Sequence, residues 1–219
     1  MIFSAGRFGN REEAYPNMVG KLKKRRLKRV KTISIGLITV AVLFLGPYDL
    51  LADIPVPAKG GTFPPITLTI PKDSGEMSYL GLSGTGSFMI TKIRTKVLII
   101  EIFSMYCPTC QTMAPGLNEM FQFIEGSPEL RDRIKLIGIG AGNSPYEVEV
   151  YRKTHKTPFP LFPDRDFAIH KAIGEVRTPH FFAIKIRDDG THEVVYSEPS
   201  GFKEPQSFLQ LMIEASGLK

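Results

Sequence analysis

Lys96-Val97-Leu98-Ile99-Ile100-Glu101-Ile102-Phe103-Ser104-Met105-Tyr106-Cys107-Pro108-Thr109-Cys110 is the stretch that decides the fold. Its first half is an almost unbroken apolar run, as expected of a central strand covered on both faces. Its second half holds the only two cysteines of the 219-residue chain. The helical spacing of Met113, Leu117, Met120, Phe121 and Ile124 then predicts a helix over Cys107 to Ile124, kinked at Pro115. A C-x-x-C at such a strand-to-helix junction puts the first sulfur at a helix N-terminus. There, unpaired backbone N–H groups and the helix dipole favour a thiolate, the form that attacks disulfides. The second thiol stands one turn further in, placed to close a small ring and release a bound partner.

The charge is unevenly distributed. Residues 1–52 carry ten Lys/Arg against three Asp/Glu, whereas residues 53–219 carry 18 against 19. The body of the chain is near neutral and gives no sign of a nucleic-acid surface. The basic excess is one cluster, Lys21 to Lys31, followed by the apolar run Ile33 to Leu45 and by Gly46-Pro47. This is the layout of a signal peptide, with Ala52 offering a small residue for cleavage, or of a membrane anchor over residues 33–52. The positive cluster stays cytoplasmic and the remainder crosses, to the periplasm or an equivalent space. Met18 opens a segment that reads as a complete signal by itself, so residues 1–20 are expected to be disordered or to reflect a mis-assigned start. An oxidising compartment gives two cysteines a redox meaning, because a structural disulfide gains more from closing a long loop than a four-residue ring.

Residues 53–62 read as a Pro/Gly linker, and 63–219 as one domain. Pro65 to Ile70 is an expected strand, residues 71–95 are Gly- and Ser-rich with a short strand near Phe88-Met89-Ile90, and Ile134 to Ile139 is a second buried strand. Ser144 as N-cap and Pro145 at N1 open a helix to His155. Phe159 to Phe162 is a short strand, Asp166 to Ile173 a short helix ended by Gly174, and His180 to Ile186 a strand. Asp188-Asp189-Gly190 turns into a strand over Glu193 to Tyr196, and Pro205 to Ala215 is a closing helix ended by Gly217. The order is that of an α/β domain with helices on both faces of an apolar sheet.

With these residues in place the chain resembles the thioredoxin-fold superfamily, and more narrowly the TlpA/ResA-type extracytoplasmic redoxins, over about residues 62–219. The resemblance rests on the C-x-x-C after a central strand, on Glu101 six residues before Cys107, on Ala114-Pro115 in the following helix, and on Thr178-Pro179 before an apolar strand. The segment from about Gly140 to Gly174 resembles the strand and helix that redoxins insert. Tyr106 stands where the family has Trp, and Pro108-Thr109 where many members have Pro-Pro. The resemblance implies a thioredoxin-like fold, a central mixed sheet flanked by helices, and thiol–disulfide oxidoreductase activity. Its engine is a redox-active Cys107–Cys110 disulfide, with no other cofactor and no metal. Cys107 is the nucleophile and Cys110 the resolving thiol. Glu101, a carboxyl on an apolar strand, is the proton acceptor for Cys110. Pro179 is cis and holds Thr178 beside Cys107, where a substrate strand pairs. Tyr106, Pro108 and Thr109 complete the substrate-binding surface, with His180 a further candidate. The implied partners are a protein dithiol or disulfide and a membrane-bound electron donor. The expected direction is that of a reductant, as in cytochrome c maturation or thiol repair.

Two other readings stay open. Ser104-Met105-Tyr106-Cys107 mimics the hydroxyl-x-x-Cys of peroxiredoxins, with Arg177 as the arginine, although Ile100 sits where those enzymes need proline. A copper-handling chaperone of the Sco type has C-x-x-x-C plus a distal His, one residue longer than the spacing here.

Overall fold

A computed structural model describes residues 54–199 and 201–218. The expected leader and anchor, residues 1–20 and 21–52, lie outside the described residues. Among the described residues no helix is long and apolar enough to cross a membrane.

The order of elements is β1 (Thr67–Thr69), α1 (Ser74–Leu80), β2 (Ser87–Met89), β3 (Val97–Phe103), α2 (Pro108–Gly126), β4 (Ile134–Ala141), α3 (Pro145–His155), β5 (Leu161–Asp164), α4 (Ala168–Ala172), β6 (His180–Ile186), β7 (His192–Glu198) and α5 (Pro205–Ser216). The main sheet runs β5-β4-β3-β6-β7. β4 lies parallel to β3 and β5 parallel to β4, while β6 and β7 are antiparallel to their neighbours. β1 and β2 form a separate antiparallel pair. β3 is central and buried at every position, as its apolar run requires.

Alternation along β3 divides the core in two. Val97, Ile99 and Phe103 face one cluster, built from α2, α3 and α5 through Cys110, Leu117, Met120, Tyr151, Phe208 and Met212. Leu98, Ile100 and Ile102 face the other, with Phe63, Leu68, Leu80, Phe88, Phe162 and Phe182. Glu101 shares the parity of the first set and points under α2. Gly138, its partner on β4, makes room for Leu161 and Phe103, since a Cβ there would come within 2.5 Å of Leu161 Cδ2 and 3.3 Å of Phe103 Cδ1.

Helix starts follow local chemistry. α3 opens with Ser144 as N-cap and Pro145 in the first turn, as expected from the sequence, and Glu147 completes a capping box with Ser144. α5 ends on Gly217 at φ 64°, a left-handed cap that costs glycine nothing. α2 continues through Pro115 to Gly126.

Four sequence expectations are corrected. α1 was hidden in the Gly/Ser-rich stretch; Asp73 Oδ1 accepts from Glu76 N at 2.9 Å and Gly81 ends the helix at φ 66°. The strand expected at Phe159–Phe162 lies two residues later, because Phe159 turns into the core and Pro160 O accepts from Gly138 N at 3.0 Å. The helix expected at Asp166–Ile173 shortens to Ala168–Ala172, held by Asp164 carboxyl oxygens that accept from Ile169 N and His170 N. The expected linker is not free chain over its described part. Gly60 N donates to Val194 O and Val194 N to Gly61 O, both at 2.8 Å, so the segment lies along β7. Upstream of that pairing the same segment packs closely on Gly174, where a Cβ would meet Ile54 O at 2.6 Å.

Where β4 runs past the end of β5, Tyr79 of α1 takes the missing strand's place. Leu136 N donates to its hydroxyl oxygen at 2.7 Å, and the hydroxyl reaches Leu136 O at 3.4 Å.

Candidate active site

β3 ends at Phe103, and the chain turns through Ser104-Met105-Tyr106 into α2. Cys107 is the N-cap residue of that helix, its sulfur accepting from Cys110 N at 3.2 Å, with Pro108 at the start of the helix. Both cysteines are free thiols. Cys107 is partly exposed, whereas Cys110 is fully buried.

The environment drives the two thiols apart. Burial pushes the Cys107 thiol up, but hydrogen bonds from the Cys110 thiol and backbone, the Thr178 side chain and the Thr109 backbone outweigh it. They hold it below the usual thiol value. Cys110 is pushed far up, first by burial and then by its bond to Cys107, and further by the charges of Glu101 and Cys107. One sulfur is partly exposed and loses its proton more easily than a free thiol; the other is buried and holds its proton more tightly.

The turn before Cys107 is clamped from the side. Met105 N donates to Asn143 Oδ1 at 2.8 Å, and Gln111 Nε2 donates to Met105 O at 2.6 Å. The Tyr106 hydroxyl donates to Glu147, whose other oxygen accepts from Ser144 N at 2.7 Å. The Ser144 and Tyr106 hydrogen bonds hold the Glu147 carboxyl down at about 2. Tyr106 is 67% exposed, so its ring stands in solvent beside Cys107 rather than in the core. Pro108 and Thr109 are exposed next to it.

The Thr178–Pro179 bond is cis, and Thr178 O lies 3.5 Å from Cys107 Sγ. His180, two residues on, does not join the site. It is 3% exposed on the sheet face opposite Glu101, with Nε2 3.2 Å from Ser197 Oγ and its ring 4.4 Å from that of Phe182. Burial lowers it to about 4, so it stays neutral. Arg177 is exposed on the loop before Thr178.

Glu101 is 1% exposed, and neither carboxyl oxygen has a hydrogen-bond partner. Burial first, and then the charge of Cys107, raises it from 4.5 to about 8. An edge position reaching water, the other arrangement open to a carboxyl on β3, is not what the chain adopts.

Three residues at the site were not singled out in the sequence. Asn143 and Glu147 flank the start of α3, and their bonds to Met105 and Tyr106 cross about forty positions. Tyr151, on the inner face of α3, donates its hydroxyl to Cys110 O at 3.1 Å and packs its ring 4.6 Å from Phe103. Burial, and then the charges of Glu101, Cys110 and Cys107, push its hydroxyl pKa up. That puts it within electrostatic reach of every group of the dithiol centre.

No family model matches the sequence, and no curated protein matches it. Solved structures do. A putative protein disulfide isomerase from Bacteroides thetaiotaomicron is 17% identical, over 73% of this chain and 89% of that one, with a TM-score of 0.54. A putative thiol:disulfide interchange protein DsbE from Chlorobium tepidum is 14% identical, over 74% and 99%, with a TM-score of 0.53. The thioredoxin domain of a thiol-disulfide oxidoreductase from Bacteroides vulgatus is 13% identical, over 71% and 98%, with a TM-score of 0.53. The fold is thioredoxin-like: a mixed central sheet flanked by helices, with the cysteine pair at the start of the helix that follows the central strand.

Proposed function

We propose that the protein is a thiol–disulfide oxidoreductase that exchanges the Cys107/Cys110 dithiol with cysteines of other proteins. The observation that carries this is the asymmetry of the pair: a partly exposed, low-pKa sulfur capping α2, backed by a buried thiol with a raised pKa.

In the reducing direction, the Cys107 thiolate attacks one sulfur of a substrate disulfide. A mixed disulfide forms, and the other substrate sulfur leaves as a thiolate. Glu101 then takes the proton of Cys110, whose thiolate attacks Cys107 Sγ. The products are the Cys107–Cys110 disulfide and the reduced substrate, which has gained two electrons. The charge of Cys107 supports Glu101 acting at that step and not before. The Cys107 charge is one of the two causes that keep its carboxyl protonated. Once Cys107 is bound in a mixed disulfide that charge is gone, and Glu101 ionises more readily. Thr178, beside the cis Pro179, offers its backbone to a substrate strand next to Cys107, while Tyr106, Pro108 and Thr109 form the exposed surface on the other side.

The finer reading is an extracytoplasmic redoxin of the TlpA/ResA type, exported or anchored by residues 21–52, supplied with electrons by a membrane-bound donor and running as a reductant. Cytochrome c maturation and repair of oxidised thiols are processes of that kind. The neutral Pro108-Thr109 dipeptide and a carboxyl close to Cys107 support the direction, since both disfavour an over-stable thiolate.

A Cys110→Ser variant expressed in the native host tests the activity. It is expected to hold substrates as mixed disulfides on Cys107, released by dithiothreitol; a variant that captures nothing sinks the protein-substrate reading. Equilibration with glutathione tests the direction. A potential near that of thioredoxin, about −270 mV, supports a reductant, and one near about −120 mV overturns it.

A further inference from the structure

The sheet end remote from Cys107 carries a pattern that thiol exchange leaves unused. Three stretches alternate basic residues: Lys92, Arg94 and Lys96 before β3; Arg131, Arg133 and Lys135 into β4; Lys185 and Arg187 at the end of β6. β6 is antiparallel to β3 and β4 parallel to it, so all three stretches reach the same end. Backbone bonds fasten them together there, from Lys96 N to Arg133 O at 3.0 Å and from Ile186 N to Lys96 O at 2.8 Å. This end lies about 20 Å, the length of β3, from the dithiol. Because residues 53–219 are near neutral overall, so many cations at one pole are a local concentration.

They border a cleft of about 720 Å³. Lys92, Arg94, Lys96, Lys135 and Arg187 line it, against the carboxylates of Asp132 and Asp188. Lys96 is paired with Asp188, and Arg187 with Glu193. Lys92 and Arg94 are exposed, and neither forms an ion pair among the described residues. Lys135 differs from the rest in being 7% exposed. Its ammonium donates to Arg131 O and lies 4.1 Å over the Tyr79 ring. Its carboxylate partner, Glu125 Oε1, stands 3.6 Å away, beyond hydrogen-bond range, and that oxygen has no hydrogen-bond partner. A buried cation with so loose a counter-charge is costly unless further negative charge reaches it.

We propose that this cleft is a binding site for phosphate groups. A phosphate carries up to two charges on several acceptor oxygens arranged in three dimensions. Its oxygens can accept from the unpaired cations Lys92 and Arg94, with Lys135 and Arg187 lining the same cleft. A single carboxylate could engage only part of that set. The phosphate comes either from a soluble phosphorylated compound or from the headgroup of an anionic lipid. The site is separate from the dithiol, so its fate is independent of the exchange reaction.

The full chain, as parent and as the double variant Lys92→Glu/Arg94→Glu, is titrated with pyrophosphate at low salt. It is also floated with phosphatidylglycerol–phosphatidylcholine vesicles, with phosphatidylcholine alone as control. Comparing parent with variant isolates the cleft from the basic Lys21–Lys31 segment, which both carry. Both substituted side chains are exposed, so an unchanged circular dichroism spectrum and an unchanged Cys107 alkylation rate are expected. Pyrophosphate binding that weakens about tenfold or more in the variant, and falls as salt shortens the screening length below about 10 Å, supports a soluble phosphate. Flotation with the anionic vesicles, in excess of that with phosphatidylcholine alone, that is weaker in the variant and that pyrophosphate lowers in the parent towards the variant's level supports the headgroup. If the variant matches the parent in both arms, or neither probe binds the parent, the proposal is overturned.

Discussion

The two faces of β3 are made by alternate residues of one strand and could hardly differ more. Leu98, Ile100 and Ile102 enter a cluster dominated by apolar side chains, with Phe63, Phe88, Phe162 and Phe182. On the other face Val97, Ile99 and Phe103 flank Glu101, a buried carboxyl with no hydrogen bond, beneath a helix that carries Cys110. The first face stabilises the sheet. The second gives up some of that stability, since a lone buried carboxyl is expensive; under the proposed function it gains in return a proton acceptor next to a buried thiol. Chemistry and stability are therefore separated by a step of one residue along the chain.

The largest effect is expected at the nucleophile. Cys107→Ser should lower thiol–disulfide exchange by on the order of a thousandfold or more, measured with a model disulfide substrate, with the fold intact. A partial loss would mean that Cys110 can attack by itself, and the asymmetry of the pair would not matter. Ile100→Glu, which copies the Glu101 chemistry onto the other face, should destabilise the domain by about 3–5 kcal/mol in urea unfolding. Glu101→Leu should instead be neutral or stabilising by up to about 4 kcal/mol, while slowing resolution of the mixed disulfide. Equal costs at the two positions would erase the distinction between the faces.

The same carboxyl sets a pH dependence. Unfolded, it loses its proton near 4.5; folded, it keeps it to about 8. Between those values the folded state binds more protons than the unfolded state, so stability falls as pH rises and levels off above the upper value. The parent should show this downward trend relative to Glu101→Leu in denaturant melts; parallel curves would place the carboxylate in water. The smallest effect is expected at Tyr151→Phe. Loss of the hydrogen bond to Cys110 O should cost about 1 kcal/mol, with a shift in the pH profile of resolution if the hydroxyl also polarises the dithiol centre.

What the sequence made legible followed from local rules. The apolar run of β3, the Ser144 cap of α3 and the Gly217 stop act within a few residues, and their boundaries were read almost to the residue. Cys107, Cys110, Glu101 and Pro179 were also visible, because their order along the chain is itself the pattern. α1 escaped because seven residues with Gly75 among them carry little periodicity, although Asp73 and Glu76 were a cap in plain view. Tyr151 and the Glu147–Tyr106 bond escaped for a different reason. Each joins residues 41 positions apart, and nothing local to α3 says which loop it will lie against. His180 was misleading in the opposite way: its place beside Pro179 suggested the site, but strand alternation turns it to the other face.

The lead segment that pairs with Val194 also bears on how the molecule keeps to itself. A strand at the rim of a sheet offers its unpaired backbone groups to any other strand that passes, and this is how folded proteins come to aggregate. Here the seat beside the middle of β7 is taken by Gly60 and Gly61 of the same chain, and β5, at the opposite rim, is only four residues long. A chain cut back to begin at Thr62 would leave that seat empty. Its solubility at high concentration, rather than its thiol chemistry, should then be the first property to fail.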